Sequence, residues 1–137
     1  MKIASDELKN AEKMAEQIRK DSIRMSTRSG TGHLGPALSI ADIMAVLYSG
    51  GMNYNPEDPY WSDRDRFILS KGHGCLGLYS ALVQCGYFDR SLLDEFCNKF
   101  DTMLPGHPER KLPGVEANTG SLGHGIAVGT GIAMAGL

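Results

Sequence analysis

Four short clusters set a histidine among small residues: Gly30-Thr31-Gly32-His33, Gly72-His73-Gly74, Pro105-Gly106-His107-Pro108 and Gly120-Ser121-Leu122-Gly123-His124-Gly125. Imidazole titrates near neutral pH and, when uncharged, offers one donor and one acceptor. Glycine beside it admits positive φ and leaves backbone N–H and C=O groups open to a ligand. The chain carries 17 glycines in 137 residues, well above the roughly 7% usual in globular proteins. They are clustered beside histidines rather than strung into a low-complexity tract.

Several chemistries use such residues, and spacing separates them. A histidine-ligated metal is disfavoured, because there is no H-x-x-x-H pair and no Cys or acid at ligand spacing; no metal ligand is assigned. Gly123-His124-Gly125 followed by Gly129 is one residue too long for the dinucleotide fingerprint and is preceded by loop. Ser121 in Gly-Ser-Leu-Gly is not a nucleophile elbow, and Cys85 and Cys97 sit in helical patterns as core or face residues. A strand running into Gly-His-Gly at a helix start, by contrast, points N–H groups and an imidazole toward an anion. On spacing alone, an anion or cofactor cradle and a set of turn glycines with capping histidines stand as equal readings.

The elements that must hold these clusters are mostly helical. Leu8, Ala11, Ala15, Ile18, Ser22 and Met25 recur at three- and four-residue steps, predicting a helix over 5–28 that Gly30 and Gly32 end. A second helix is expected to start at Ser39, capped by its hydroxyl with Asp42 three residues on, and to stop at Gly50-Gly51. Residues 53–63 read as loop. Residues 66–70 (RFILS) are the one clear strand, running directly into Lys71 and the second cluster. Leu76, Tyr79, Leu82 and Val83 mark a helix ended by Gly86, and 91–100 a short one with Leu92, Leu93, Phe96 and Phe100 inward. Residues 101–121 read as loop. From Gly123 the small apolar run predicts a buried helix that stops abruptly at Leu137. One strand cannot satisfy its backbone without neighbours. The expectation is therefore an α/β fold: a helix-rich piece, residues 1–137, of a larger parallel-sheet domain whose sheet is incomplete.

Composition excludes other classes. Fourteen Lys and Arg against sixteen Asp and Glu give a net charge of −2, so no basic field invites a nucleic acid. The three cysteines lack C-x-x-C spacing, which argues against a disulfide framework and for a reducing compartment. No run approaches the ~20 apolar residues of a membrane span, and residues 1–7 (MKIASDE) have no secretory core. The expected location is the cytoplasm.

Taken together, the motifs resemble the N-terminal part of transketolases. The matching runs are 29–43 (SGTGHLGPALSIADI), 63–74 (DRDRFILSKGHG), 105–109 (PGHPE) and 119–125 (TGSLGHG), in the family's order across nearly the whole chain. The resemblance implies a thiamine diphosphate-dependent transfer of a two-carbon ketol unit between sugar phosphates. It implies His33 and His107 as catalytic residues at the substrate, and His73 at the cofactor's diphosphate and thiazolium. The backbone of Gly120, Ser121 and Leu122 is implied to hold the aminopyrimidine. His124, where the family commonly has glutamine, is read as contacting the cofactor or capping the helix. Leu34, the Pro36-Ala37 order and Lys71 also depart from the common pattern and leave sugar preference open.

The family's metal motif, for Mg2+ or Ca2+, and its activating glutamate are expected outside this chain. The resemblance therefore implies one wall of a site, completed by a complementary C-terminal subunit or region in a homo- or hetero-oligomer. The isolated chain is expected to be inactive. Rival readings are a truncated noncatalytic interaction fragment, or a related thiamine enzyme such as deoxyxylulose-phosphate synthase or phosphoketolase.

Overall fold

The computed structural model describes residues 5–98 and 100–136. Residues 1–4 of the N-terminal stretch read as lacking a secretory core, and the abrupt end expected at Leu137, lie outside the described residues. Among the described residues five α-helices form: α1 (Ser5–Ser29), α2 (Leu34–Ser39), α3 (Ala41–Val46), α4 (Cys75–Gln84) and α5 (His124–Ala135).

Helix α1 forms where the three- and four-residue pattern places it, with Asp6 and Glu7 in its first turn and Arg28 in its last, complementing the helix dipole. Ala11, Ala15, Ile18, Ser22 and Met25 are buried in a stripe facing α3 and α4. Leu8, expected in that stripe, is half exposed at the helix start. Helix α4 lies at the centre. Leu76, Tyr79, Ala81 and Leu82 are fully buried, and burial of each large apolar side chain contributes roughly 1.5–3 kcal/mol. Between α1 and α4, the buried Asp21 carboxylate accepts from Ser80 Oγ (2.7 Å) and Gln17 Nε2 (2.9 Å) and pairs with the Arg90 guanidinium. These partners offset the cost of removing a carboxylate from water.

Four expectations need correcting. Among the described residues no strand forms: 66–69 carry no ladder, so the α/β expectation reduces to a helix-rich architecture. A ladder needs a second row of donors and acceptors, and no described segment lies alongside to supply one. Ser39 does not start a helix. It ends α2, its hydroxyl donates to Pro36 O (2.9 Å), and Ile40 stands at the start of α3 without a side-chain cap. The helix expected over 91–100 is a single 3-10 stretch, Arg90–Glu95, opened by Asp89 accepting from Ser91 N; Leu93 and Phe96 point inward, but Phe100 is fully exposed. Finally, α5 forms as a helix but is not buried: Ile126 is 79% and Met134 70% exposed.

The long loop after the 3-10 stretch is held by side chains rather than by regular pairing. Thr102 Oγ1 donates to Glu95 O (2.7 Å) and accepts from Leu104 N (3.1 Å), while Leu104, Pro108 and Leu112 are buried. Further on, Arg64 grips Glu116 through two bonds of 2.8 Å, both side chains being largely shielded, and Asn118 Oδ1 accepts from Arg110 N at 2.7 Å. No described helix is long and apolar enough to cross a membrane.

Candidate functional site

Three of the four histidine clusters meet. His33 occupies the position before α2, His73 lies in the single 3-10 turn Gly72–Gly74 that leads into α4, and His107 sits on the loop that crosses α4. The His33 ring lies 5.3 Å from that of His73 and 6.1 Å from that of His107, edge to face in both cases. None of the three imidazoles is hydrogen-bonded to a described group, and His33, although at a helix start, makes no side-chain cap. His33 therefore does not act as a helix cap. The ring nitrogens of the three histidines remain available, His33 and His107 exposed and His73 half buried.

The Gly120 loop is drawn against this group by close backbone approach. A Cβ on Gly72 would lie 2.5 Å from Thr119 O and 2.8 Å from Thr119 Oγ1, and one on Gly125 would lie 2.5 Å from Ser70 Cβ. Only glycine lets these segments touch. Gly125 N donates to Ser70 Oγ at 3.1 Å, fixing the first turn of α5 to the segment before His73. A Cβ on Gly120 would lie 3.5 Å from Cδ2 of His107, so the bare face of this glycine looks onto that ring. Ser121 and Leu122 follow on the open side, both exposed. His124 is the first residue of α5, where Gly123, at φ 87°, holds the cap position without a side-chain bond. The capping reading for His124 is therefore not realised.

Electrostatics favours the neutral form of His73. Burial lowers the His73 pKa below its ordinary value, and the neighbouring His33, Lys71 and His107 push it the same way. Lys71 Nζ donates to Ser39 Oγ at 2.7 Å, which holds the ammonium beside the cluster. Neutral imidazoles both accept from and donate to hydroxyl groups. Among the described residues no group of three or more His, Cys, Asp or Glu is arranged to hold a metal ion. Cys75, Cys85 and Cys97 are free. Burial pushes the Cys75 thiol up to about 12 and raises the other two, so none is poised as a nucleophile. Cys97 does not lie in a helix as expected; its φ is 50°.

A polar, hydrogen-bonding ligand fits this surface. The Thr119 hydroxyl oxygen is buried without a hydrogen-bond partner at the seam between the two glycine-rich turns, where an unmet polar atom carries a cost. Beside it lie the uncovered backbone of Gly120 and the three open imidazoles. Sequence reasoning singled out the histidines and Gly120 but not Thr119, Ser70, Cys75 or Tyr79, which contact the segments that carry them. Tyr79 was legible only as a member of an apolar stripe.

Comparison with known proteins gives this surface a family. Residues 10–136 match the family described as transketolase, thiamine diphosphate binding domain. The chain is 44% identical over 122 residues to the 6-deoxy-6-sulfo-D-fructose transketolase subunit SqwG of Clostridium sp. (strain MSTE9), covering 88% of this chain and 44% of that protein. It is 38% identical over 129 residues to an apulose-4-phosphate transketolase subunit of Phocaeicola vulgatus, covering 94% and 46%. Among solved structures, transketolase from Leishmania mexicana superposes with a TM-score of 0.85 at 42% identity over 91% of this chain and 19% of that one. The chain thus spans less than half the length of the relatives it matches. Matched over nearly all its residues, it belongs to the transketolase thiamine diphosphate-binding domain family.

Proposed function

We propose that this chain supplies one wall of the cofactor and substrate site of a transketolase-type enzyme. The observation that carries the reading is the convergence of His33, His73 and His107, from three separate segments, with every ring nitrogen left open. The bound thiamine diphosphate supplies the carbanion chemistry by which a two-carbon ketol unit passes from a ketose phosphate to an aldose phosphate. The chain's own groups orient and exchange protons. His33 accepts the proton of a donor-sugar hydroxyl, and His107 hydrogen-bonds the hydroxyls beside it. His73, held neutral, faces the cofactor, and the uncovered backbone of Gly120, Ser121 and Leu122 lies along its aminopyrimidine. The buried Thr119 hydroxyl supports a polar ligand at this seam.

A complementary C-terminal subunit or region completes the site in a homo- or hetero-oligomer. Two relatives named as subunits support that division. Ligands for the divalent cation, magnesium or calcium, are expected from that region. The setting that fits phosphorylated sugars and free thiols is the cytoplasm, in sugar-phosphate metabolism of the pentose type.

Calorimetric titration of thiamine diphosphate and magnesium, with and without the complementary region, tests this. Heat of binding is expected with the complement and little without it. No heat with the complement would remove the cofactor assignment. Ketol transfer by the purified chain alone would remove the shared site. In the assembly, His33→Ala is expected to slow turnover by about 10²–10⁴-fold with cofactor affinity little changed. Equal loss of both would argue against His33 acting at the substrate.

A further inference from the structure

We propose that Tyr79, with Cys75 as its weaker companion, is a positioning residue that sets the place of His107 relative to His33. Both side chains project from the same face of α4, one turn apart, toward the loop that carries His107. Tyr79 Oη lies 2.8 Å from Pro105 O and 3.1 Å from His107 O. Cys75 Sγ lies 3.1 Å from Gly106 O and 3.8 Å from Pro105 O. Three successive carbonyls of the turn therefore face donors on one helix. A phenol has a single proton, so Tyr79 holds the Pro105 carbonyl by the shorter bond and leaves that of His107 as the alternative acceptor.

Buried Leu104 and Pro108 anchor the two ends of the turn; between them, the side-chain donors to its carbonyls among the described residues are those of α4. The turn belongs to no helix, and Gly106 is not in the left-handed region; a Cβ there would make only an ordinary contact of 3.7 Å with Cys97 Sγ. Carbonyls of such a segment need donors, and α4 provides them. Tyr79 is fully buried, with its ring against Phe96, and burial raises its pKa far above the usual range, so the phenol keeps its proton. The same helix carries His73 on the turn before its first residue. Helix α4 thus sets two of the three imidazoles, one through the chain and one through Tyr79. Because the bare face of Gly120 looks onto the His107 ring, which an added Cβ would meet at 3.5 Å, displacement of that ring also uncovers the Gly120 backbone.

The consequence for turnover rests on the proposed transketolase-type reading; the geometry does not, and the test separates them. In the 137-residue chain, nuclear Overhauser contacts between the His33 and His107 rings and between the His33 and His73 rings are read by NMR. Tyr79→Phe is expected to lose the first contact and keep the second, and 4-aminophenylalanine at position 79, which restores a donor, to regain the first. An unchanged His33–His107 contact in Tyr79→Phe overturns the proposal, whatever the protein does. Loss of both contacts together, without rescue, also overturns it, since Tyr79 would then be only a core residue. If Tyr79→Phe does not fold, Cys75→Ala is read the same way: partial loss of the His33–His107 contact supports the clamp and an unchanged contact overturns it. In the complete assembly Tyr79→Phe is expected to raise the donor-sugar KM by about tenfold, within the roughly 10²-fold that a misplacement of about 1 Å can cost, with the cofactor Kd unchanged. If wild type binds no cofactor while the ring contacts respond as stated, the functional reading fails and the positioning role stands.

Discussion

Helices α4 and α5 are built from similar small and apolar residues, yet one is the most enclosed part of the molecule and the other among the most open. From Cys75 to Leu82 every residue of α4 is buried, covered by α1, α2, α3 and the 3-10 stretch. In α5 only Gly125 is buried, and Ile126, Val128 and Met134 face outward. Composition alone says that a helix suits a core; which neighbours the chain supplies decides whether it enters one. The candidate site lies on the boundary between the two, with His73 at the start of α4 and Gly120 just ahead of α5.

Removing matched side chains would sharpen the contrast most. Leu82→Ala in α4 is expected to cost about 2–5 kcal/mol, because it leaves a cavity, whereas Ile126→Ala in α5 should stay within about 0.5 kcal/mol; urea unfolding measures both. A comparable cost for Ile126→Ala would mean that α5 is already covered in solution, by another copy of the chain.

Adding a methyl group gives a smaller difference of opposite sign. Gly72→Ala drives a Cβ into the Thr119 backbone and should cost about 1–3 kcal/mol. Gly131→Ala meets nothing within 4 Å and should gain about 0.5–1 kcal/mol from helix propensity. Thermal unfolding of the two variants reads the signs directly. Repeated in the assembly, Gly131→Ala should lose its gain if the complement packs on α5.

The pH effect is the smallest. The native pKa of His73 is below its ordinary value of 6.5, so the unfolded chain binds more protons in the window beneath 6.5. Its contribution to stability is complete above that value and is lost as pH falls through the native pKa. His73→Gln should flatten this part of the stability profile, and an NMR titration of the ring should give a midpoint under 6.5. A midpoint above it would mean that a carboxylate, not burial aided by Lys71 and two imidazoles, governs the site.

Much of this is legible in the residues. The stripe from Ala11 to Met25 locates α1, and Leu76, Tyr79 and Leu82 locate α4, because burial against neighbours follows the 3.6-residue period. The four histidine clusters are visible as motifs, and three converge. What is not legible depends on partners remote in sequence. The apolar run at 66–70 has strand character without a strand beside it. Ser39 has a capping side chain but serves Pro36 and Lys71 instead. Phe100 continues the helical spacing on paper, but the 3-10 stretch ends at Glu95 and Phe100 is exposed. In α5, hydrophobicity reads as burial although nothing described covers it. Tyr79 is the reverse case: its place in the stripe is plain, but its hydroxyl's role depends on a loop that arrives many residues later.

The Arg64–Glu116 pair reaches beyond its own two residues. Glu116 lies midway along the strap that joins the His107 turn to the Gly120 loop, and Arg64 fastens it to the segment ahead of Ser70. Neither side chain touches an imidazole, yet together they make the distance between two site motifs a property of the frame rather than of the strap's own stiffness. Because the pair is shielded from water, added salt should screen it weakly. A lengthened strap would then be tolerated on one side of Glu116 without the other side registering the change.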